Sequence, residues 1–327
     1  MADSTNRRGF LRALVRNAGE AIADVAGATR DEQPDPPPRP PERQPQPEGA
    51  VVASAAPLLR QAPPVTRTLS LEEVLDLAAE EGLEARRDAL RDLARTSTRL
   101  TPALEAPATS TIGRAEATAH RDGTVATVAD IDLTDPALPA GVLPDSGRLV
   151  VRIVVPRRAA VARCGRAQVS VALGEATPEG LPVRLSTEVT FPRVWATPVQ
   201  ALGLDDDEHE RYVRLRERVA ELQGVPADDD GADGIARHHL LGYPTETSGA
   251  MPLMCELVAR GLDPETSPAE VSAEVAGASA RWRLLLQLTQ AERSGVILGT
   301  GVTRLFLWIS RDRLARHDLS EVWAIAR

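Results

Sequence analysis

Residues 124–155 read TVATVADIDLTDPALPAGVLPDSGRLVVRIVV, which is two apolar runs joined by a polar excursion and a glycine turn. The β-branched residues and the alternation within each run predict a pair of β-strands. Residues 281–310, RWRLLLQLTQAERSGVILGTGVTRLFLWIS, follow the same plan. The alignment places Asp130 opposite Gln287, Gly147 opposite Gly301 and Arg148 opposite Arg304. This similarity predicts a duplicated β-unit.

Further strand and helix patterns surround these two segments. AQVSVAL (167–173) and VRLSTEVTF (183–191) alternate as strands do, with Pro, Gly and Asp between the runs. Ser70 and Glu73 have the spacing of a capping box. Residues 205–223 predict a helix with an acidic first turn. The predicted fold class is therefore α+β, with mostly antiparallel sheets built from the duplicated β-unit and flanked by helices.

The composition divides the chain into three parts. Residues 1–28 have helical periodicity, and residues 29–68 are too rich in proline and too poor in large apolar residues to form a core. We expect the folded domain to span residues 69–327. Within it we distinguish a helical lead-in, a first β-unit and a second half, at residues 69–96, 97–200 and 201–327.

The N-terminal segment supports two interpretations. Arg7 and Arg8 resemble a twin-arginine export signal, but Arg16, Glu20 and Asp24 interrupt the apolar segment that such a signal needs. We therefore expect a cytoplasmic protein, with export through a weak signal as the alternative. Read at helical spacing, the segment is an amphipathic docking helix or a helix that folds back on its own domain. The apolar stripe of the docking helix includes Phe10, Leu11, Leu14, Val15 and Ile22.

Charge and cysteine content exclude several classes of protein. Lys and Arg together number 38, all of them Arg, against 47 acidic residues, and the resulting net charge of −9 disfavours nucleic-acid binding. Cys164 and Cys255 are far apart in sequence and predict two separate buried thiols rather than a zinc or redox pair. No stretch approaches the 18 or so apolar residues that a transmembrane segment needs.

The remaining candidate motifs do not predict catalysis or metal binding. Adjacent His238 and His239 diverge on a helix or a strand, so they are poorly placed to share a metal. The sequence contains no nucleophile elbow, Walker loop or His-Glu-x-x-His motif. We therefore expect no catalytic residue, no metal and no cofactor.

The four tryptophans suggest either a recognition surface or a core. Three of them, Trp282, Trp308 and Trp323, fall on predicted strands, and the fourth is Trp195. Tryptophan beside arginine is enriched at binding hot spots. In a chain with only 3% aromatic residues, however, tryptophans are also the natural large residues of a core.

Four stretches carry a resemblance to a known family. They are WRLLLQLT (282–289), LFLWISRDRLARHDLSEVWAIAR (305–327), HHLLGYP (238–244) and the segment from ADIDL (129–133) to LPDSGRLVV (143–151). From about Leu93 to its end the chain resembles the YwqG-like family of bacterial proteins. The resemblance implies an α+β fold with a duplicated sheet unit. LGTGV (298–302) lacks the tryptophan and carboxylate usual there in the family.

Two functions follow as hypotheses. The first is a non-enzymatic protein-interaction module, with a protein partner bound through the N-terminal helix or the domain surface. The company that the family keeps in bacterial genomes suggests toxin neutralisation as a specific version. The second is a small-ligand binder or enzyme with a cleft between the duplicated sheets. Candidate binding residues are Tyr243, Gln287, Arg304 and Trp308, with Asp130 as a further candidate for the cleft.

Overall fold

A computed structural model describes most of the chain after residue 59. The described residues are 60–61, 65–103, 109–120, 123–156, 163–173, 180–224, 235–245, 251–264, 266, 270–290 and 303–327. The docking-helix residues Phe10, Leu11, Leu14, Val15 and Ile22 lie outside them.

The strands are β1 (Arg60–Gln61), β2 (Arg95–Pro102), β3 (Ser110–His120), β4 (Gly123–Asp132), β5 (Arg148–Pro156), β6 (Arg163–Ala172), β7 (Leu181–Thr190), β8 (Ile235–Ala236), β9 (His239–Leu241), β10 (Trp282–Thr289), β11 (Arg304–Ser310) and β12 (Val322–Ala326). The helices are α1 (Leu71–Glu80), α2 (Arg87–Leu93), α3 (Thr197–Gln200), α4 (Asp206–Leu222), α5 (Met251–Ala259), α6 (Ala273–Ala278) and α7 (Arg311–Ala315), with 3₁₀ turns at Glu84–Arg86 and Ser279–Arg281.

Ten of the described strands close into one barrel. Around the barrel the order is β10-β11-β12-β6-β5-β4-β3-β7-β2-β9, and every pair of neighbours is antiparallel. β1 and β8 form a separate parallel pair. Closure satisfies the backbone hydrogen bonds that the edges of an open sheet would leave free.

The predicted α+β fold class is therefore wrong. The runs that were predicted as strands do form strands, but the pattern of one strand does not show which distant strand it pairs with. Pairing of β12 with β6 and of β7 with β2 joins the units into one wall instead of leaving two sheets with helices packed around them. The helices are short for the most part. α1, α2, α4 and α5 pack outside this wall, whereas Leu314 of α7 joins the apolar cluster that fills the barrel.

The two aligned segments have the same register in the barrel. In the β4–β5 hairpin Asp130 pairs with Val150, and in the β10–β11 hairpin Gln287 pairs with Phe306. Both hairpins also carry a register shift at the corresponding place, between Thr127 and Ala129 in β4 and between Leu284 and Leu286 in β10. The similarity noted in the sequence thus lies within one barrel.

An approximate twofold symmetry relates the halves of the barrel. One half runs β7-β3-β4-β5-β6 and the other β2-β9-β10-β11-β12. The halves join where β6 pairs with β12 and where β7 pairs with β2. At each junction one residue pair is its own equivalent, because exchanging the halves replaces Ala167 by its partner Val322 and Thr101 by its partner Arg184. Strand β2 precedes the first half in sequence, yet it lies between β7 and β9.

Three apolar clusters stabilise the fold. The first fills the barrel with residues such as Leu149, Leu240 and Leu286, and Leu143 from the β4–β5 connection packs among them. The second joins α1, α2 and α4 to the end of β7, through side chains such as Leu75 and Tyr212. The third lies between α5 and the outer face of β10, β11, β12 and β6. We call it the α5 cluster, and its members are Met251, Cys255, Trp282, Leu284, Phe306, Trp308, Trp323 and Ile325, with Cys164 packed against them.

The connection between β4 and β5 closes one end of the barrel. The carbonyl oxygen of Ala137 accepts hydrogen bonds from the hydroxyls of Thr98 and Thr187, each at 2.9 Å. The described interior is packed with apolar side chains, including Leu143 of this connection. In the part of the chain that the structure describes, every helix is too short or too polar to cross a membrane.

Candidate functional site

An exposed tryptophan follows strand β7. Trp195 is 50% exposed, whereas Trp282, Trp308 and Trp323 are buried in the α5 cluster. The arrangement of the tryptophans therefore separates the two interpretations, because three serve as core and one faces solvent. We call residues 191–197 the Trp195 loop.

The Trp195 loop is anchored from beneath by helix α4. The Tyr212 hydroxyl donates a hydrogen bond of 2.7 Å to the carbonyl of Pro192. The Phe191 ring meets the Tyr212 ring edge-on, with centroids 6.3 Å apart. Tyr212 is fully buried, and burial raises the pKa of its hydroxyl well above the ordinary range, so the phenol remains a hydrogen-bond donor.

Arg193 connects the Trp195 loop to the barrel. Its guanidinium lies 5.5 Å from the centroid of the Trp195 ring, which is within the range of a cation–π contact. The same guanidinium donates a hydrogen bond to the backbone carbonyl of Thr245. Arg193 is buried, so the positive charge lies under the indole rather than in solvent. The Trp195 indole therefore packs on a guanidinium that is itself fixed to the barrel.

A row of buried polar residues lies on the outer face of the barrel beneath Thr245. Register places Glu188, Arg99, His239 and Gln287 on neighbouring strands and on the same face, and all four are at least nine-tenths buried. We call these four residues the polar row. Successive side chains of a strand point to opposite faces. Because Leu100, Leu240 and Leu286 face the interior, the polar residues next to them in sequence face outward.

Hydrogen bonds occupy the polar atoms of this row. The Gln287 amide donates to the Thr245 hydroxyl at 2.6 Å, and its oxygen accepts the Thr245 backbone N–H at 3.0 Å. Arg99 Nε donates to Glu188 Oε2 at 3.0 Å. His239 Nε2 lies 3.1 Å from the Tyr243 carbonyl, which can only accept. The row thus supports the segment 243–245, and through Thr245 it supports Arg193.

His238 and its neighbour His239, which belongs to the polar row, are neutral at neutral pH. Burial lowers the pKa of His238 to about 3 and that of His239 to about 4. His238 Nδ1 accepts the backbone N–H of Thr289 at 3.2 Å. The two side chains therefore have separate backbone partners.

The structure brings together only part of the predicted binding set. Tyr243 and Gln287 are linked through the segment 243–245, and the Tyr243 ring stacks under Arg95, whose guanidinium carbon lies 4.0 Å from the centroid. Arg304 lies at the start of β11, and Trp308 is buried in the α5 cluster. Asp130 is on β4, across the barrel from β10.

Asp130 is occupied by a partner of its own. Its Oδ1 accepts a hydrogen bond of 2.6 Å from Arg148 Nε, and both side chains are buried. Under the symmetry of the halves Asp130 corresponds to Gln287, but Asp130 pairs with a side chain of β5 whereas Gln287 binds Thr245. The proposed cleft between duplicated sheets has no counterpart here, because the two halves are continuous around the barrel.

Sequence reasoning missed Arg193, Arg99 and Glu188. Their partners lie roughly 50 to 90 residues away in the chain, so their pairing has no local pattern. One local signal was available for Trp195. It lies between Pro192 and Pro198, where a β-patterned run has ended and an exposed loop is expected.

Metal ligands do not cluster in the described part of the chain, where no group of three or more His, Cys, Asp or Glu side chains could hold an ion.

A shallow pocket of about 160 Å³ lies at the β4–β5 connection, lined by residues that include Thr134, Asp135, Leu143 and Asp145. It is remote in sequence from the polar row and the Trp195 loop.

Comparison with known proteins gives a family assignment. A comparison with curated proteins found no match. A family model described as a domain of unknown function (DUF1963) matches residues 126–326, which include nearly all of both aligned hairpins, the Trp195 loop and most of the polar row. The chain therefore belongs to the DUF1963 family.

Proposed function

We propose that this protein is a non-enzymatic interaction module of YwqG-like type, and that the Trp195 loop binds a protein partner. The half-exposed Trp195 ring carries this proposal. Tryptophan and arginine are the residue types most enriched at binding hot spots. A ring already held by Arg193 and supported through Tyr212 loses little conformational entropy on binding.

The N-terminal segment is a second proposed contact. Its apolar stripe, which includes Leu14, would dock into a groove of the same partner, with residues 29–68 as the tether. We propose that this takes place in the cytoplasm. Export is the alternative, and intact mass spectrometry of the cellular protein distinguishes the two, since export by a cleaved signal removes residues before about position 35.

A partner-capture experiment tests the role of Trp195. Full-length wild-type protein, Trp195→Ala and Leu262→Ala are used as baits in the native host, and captured proteins are quantified by mass spectrometry. Leu262 is the matched control because it is also an exposed apolar residue, at 48%. Far-UV circular dichroism verifies that all three baits are folded.

We expect one partner to be captured by wild type and by Leu262→Ala and to be lost with Trp195→Ala. With that partner purified, calorimetry should show affinity reduced about 30-fold or more, as for a hot-spot residue. Equal binding by wild type and Trp195→Ala would refute the role of the loop. Leu14→Asp, tested in the same way, reports on the N-terminal stripe independently.

Toxin neutralisation is the specific version of this proposal. It predicts that the captured partner inhibits growth when expressed alone, and that coexpression of wild-type protein restores growth. Coexpression of Trp195→Ala should fail to restore it. If Trp195→Ala restores growth as well as wild type does, neutralisation does not depend on the Trp195 loop.

A further inference from the structure

The two cysteines of the chain meet on the outside of the barrel. Cys164 lies on β6 and Cys255 on α5, about 90 residues apart in sequence. Helix α5 packs against β6, and Cys164 packs against the α5 cluster that contains Cys255. The two thiols therefore belong to the same apolar cluster, one on the strand and one on the helix that covers it. The sequence predicted two separate inert thiols, and the fold makes them neighbours.

The two thiols differ in their surroundings. Cys164 is partly exposed, whereas Cys255 is fully buried. Hydrogen bonding with the neighbouring Cys255 thiol lowers the pKa of Cys164, and burial raises the pKa of Cys255 well above its usual value. Cys164 is therefore the thiol that a small oxidant reaches and the one that more readily forms a thiolate.

We propose that Cys164 and Cys255 are a redox pair, in which Cys164 reacts with hydrogen peroxide and Cys255 then resolves the product to a disulfide. In the first step the Cys164 thiolate sulfur attacks one peroxide oxygen and the O–O bond breaks. The products are a sulfenic acid and hydroxide, which takes a proton to become water. In the second step the Cys255 sulfur attacks the sulfenic sulfur, an S–S bond forms and the sulfenic oxygen leaves as water with the thiol proton. Overall, two thiols lose two electrons and two protons, and one peroxide is reduced to two waters.

The disulfide would fasten α5 to the barrel wall. Helix α5 covers the α5 cluster, whose tryptophans come from β10, β11 and β12. A cross-link that closes a loop of this length restrains the unfolded chain and raises the temperature of unfolding. The modification is independent of partner binding at Trp195, so the two proposals can fail separately.

Peptide mapping of the full-length protein tests the pair. Reduced protein is treated with stoichiometric hydrogen peroxide, alkylated under denaturing conditions and digested without reduction. We expect a peptide pair linked through Cys164 and Cys255 in a monomeric chain, together with a rise in Tm of several degrees, both reversed by dithiothreitol. Trp195→Ala should oxidise as wild type does.

Two single-cysteine variants show which cysteine reacts with peroxide and which forms the disulfide. Cys255→Ser should leave a sulfenic acid at Cys164 that dimedone traps, because the resolving thiol is absent. Cys164→Ser should leave Cys255 reduced, because the buried thiol is not reached. The proposal is overturned if both cysteines of wild type remain alkylatable after peroxide, if Cys164 is overoxidised without a link, or if the only disulfides join separate chains.

Discussion

Burial keeps two adjacent histidines neutral, and this makes stability depend on pH. The unfolded chain protonates histidine near pH 6.5, whereas folded His238 and His239 resist protonation until about pH 3 and about pH 4. Between pH 6.5 and 4 the unfolded state therefore binds more protons than the folded state. Stability is present above pH 6.5 and is lost as pH falls.

The expected loss between pH 7 and pH 5 is about 2 kcal/mol for each histidine. Urea unfolding at the two pH values measures it. The double variant His238→Asn, His239→Gln keeps comparable hydrogen-bonding atoms without a titrating ring, so its free energy of unfolding should change much less over this range. Folding lowers the pKa values of Glu73 and Glu208 from 4.5 to about 2, so their contribution to stability changes mainly at lower pH. They therefore do not affect the comparison between the two pH values. A variant that loses as much stability as wild type would contradict this explanation.

The Arg99–Glu188 ion pair is a second residue-scale test. Both side chains are buried, and removing one leaves the other charge without its main partner. Arg99→Met should lower the free energy of unfolding by about 3–5 kcal/mol, whereas Arg99→Met combined with Glu188→Met should recover much of that loss. Chemical denaturation of Arg99→Met, of Glu188→Met and of the double variant measures the coupling. Additive losses would show that the two side chains do not depend on each other.

At the scale of elements, the β4–β5 connection contains a matched pair of glycines. Gly141 and Gly147 both have positive φ, at 71° and 90°. A Cβ at Gly141 would meet nothing within 4 Å, whereas a Cβ at Gly147 would lie 2.9 Å from the carbonyl oxygen of Ala172. Gly141→Ala should therefore cost only the backbone term, and Gly147→Ala should add a steric term.

We expect a loss of about 1 kcal/mol for Gly141→Ala and about 3 kcal/mol for Gly147→Ala. Thermal unfolding of the two variants and wild type gives the comparison directly. Equal losses would indicate that Val171 and the neighbouring backbone move aside without cost, and that this end of the barrel is looser than its packing suggests.

Local sequence rules predicted many elements and missed others for a physical reason. The capping box at Ser70 and Glu73 and the helix after Asp205 are confirmed, because caps and helical stripes are local features. β2, with sequence RTSTRLTP, was missed. Its outward residues Ser97 and Arg99 are polar yet buried. The Ser97 hydroxyl donates to the Leu240 carbonyl on β9, and Arg99 donates to Glu188. Apolar-polar alternation therefore did not mark this strand.

At the scale of the molecule, closure of the barrel could not be predicted. The sequence similarity between the two hairpins placed Asp130 and Gln287 in equivalent positions, and their strand registers agree with that alignment. The junctions of β12 with β6 and of β7 with β2 depend on strands about 90 to 160 residues apart, and no local signal specifies them. The same limit applies to the site, because Arg193 meets Thr245, and Thr245 meets Gln287, only after the barrel closes.

The central claim is that a closed barrel presents Trp195 as the anchor for a protein partner. Photo-crosslinking tests it most directly, with a photoreactive amino acid placed at Thr197, which is exposed beside the ring, or at Leu262 as the distant exposed control. We predict that the captured partner crosslinks from position 197 and not from position 262, and that adding Trp195→Ala abolishes the crosslink. A partner that crosslinks from position 262 alone, or that still crosslinks from position 197 without the indole, would contradict the claim.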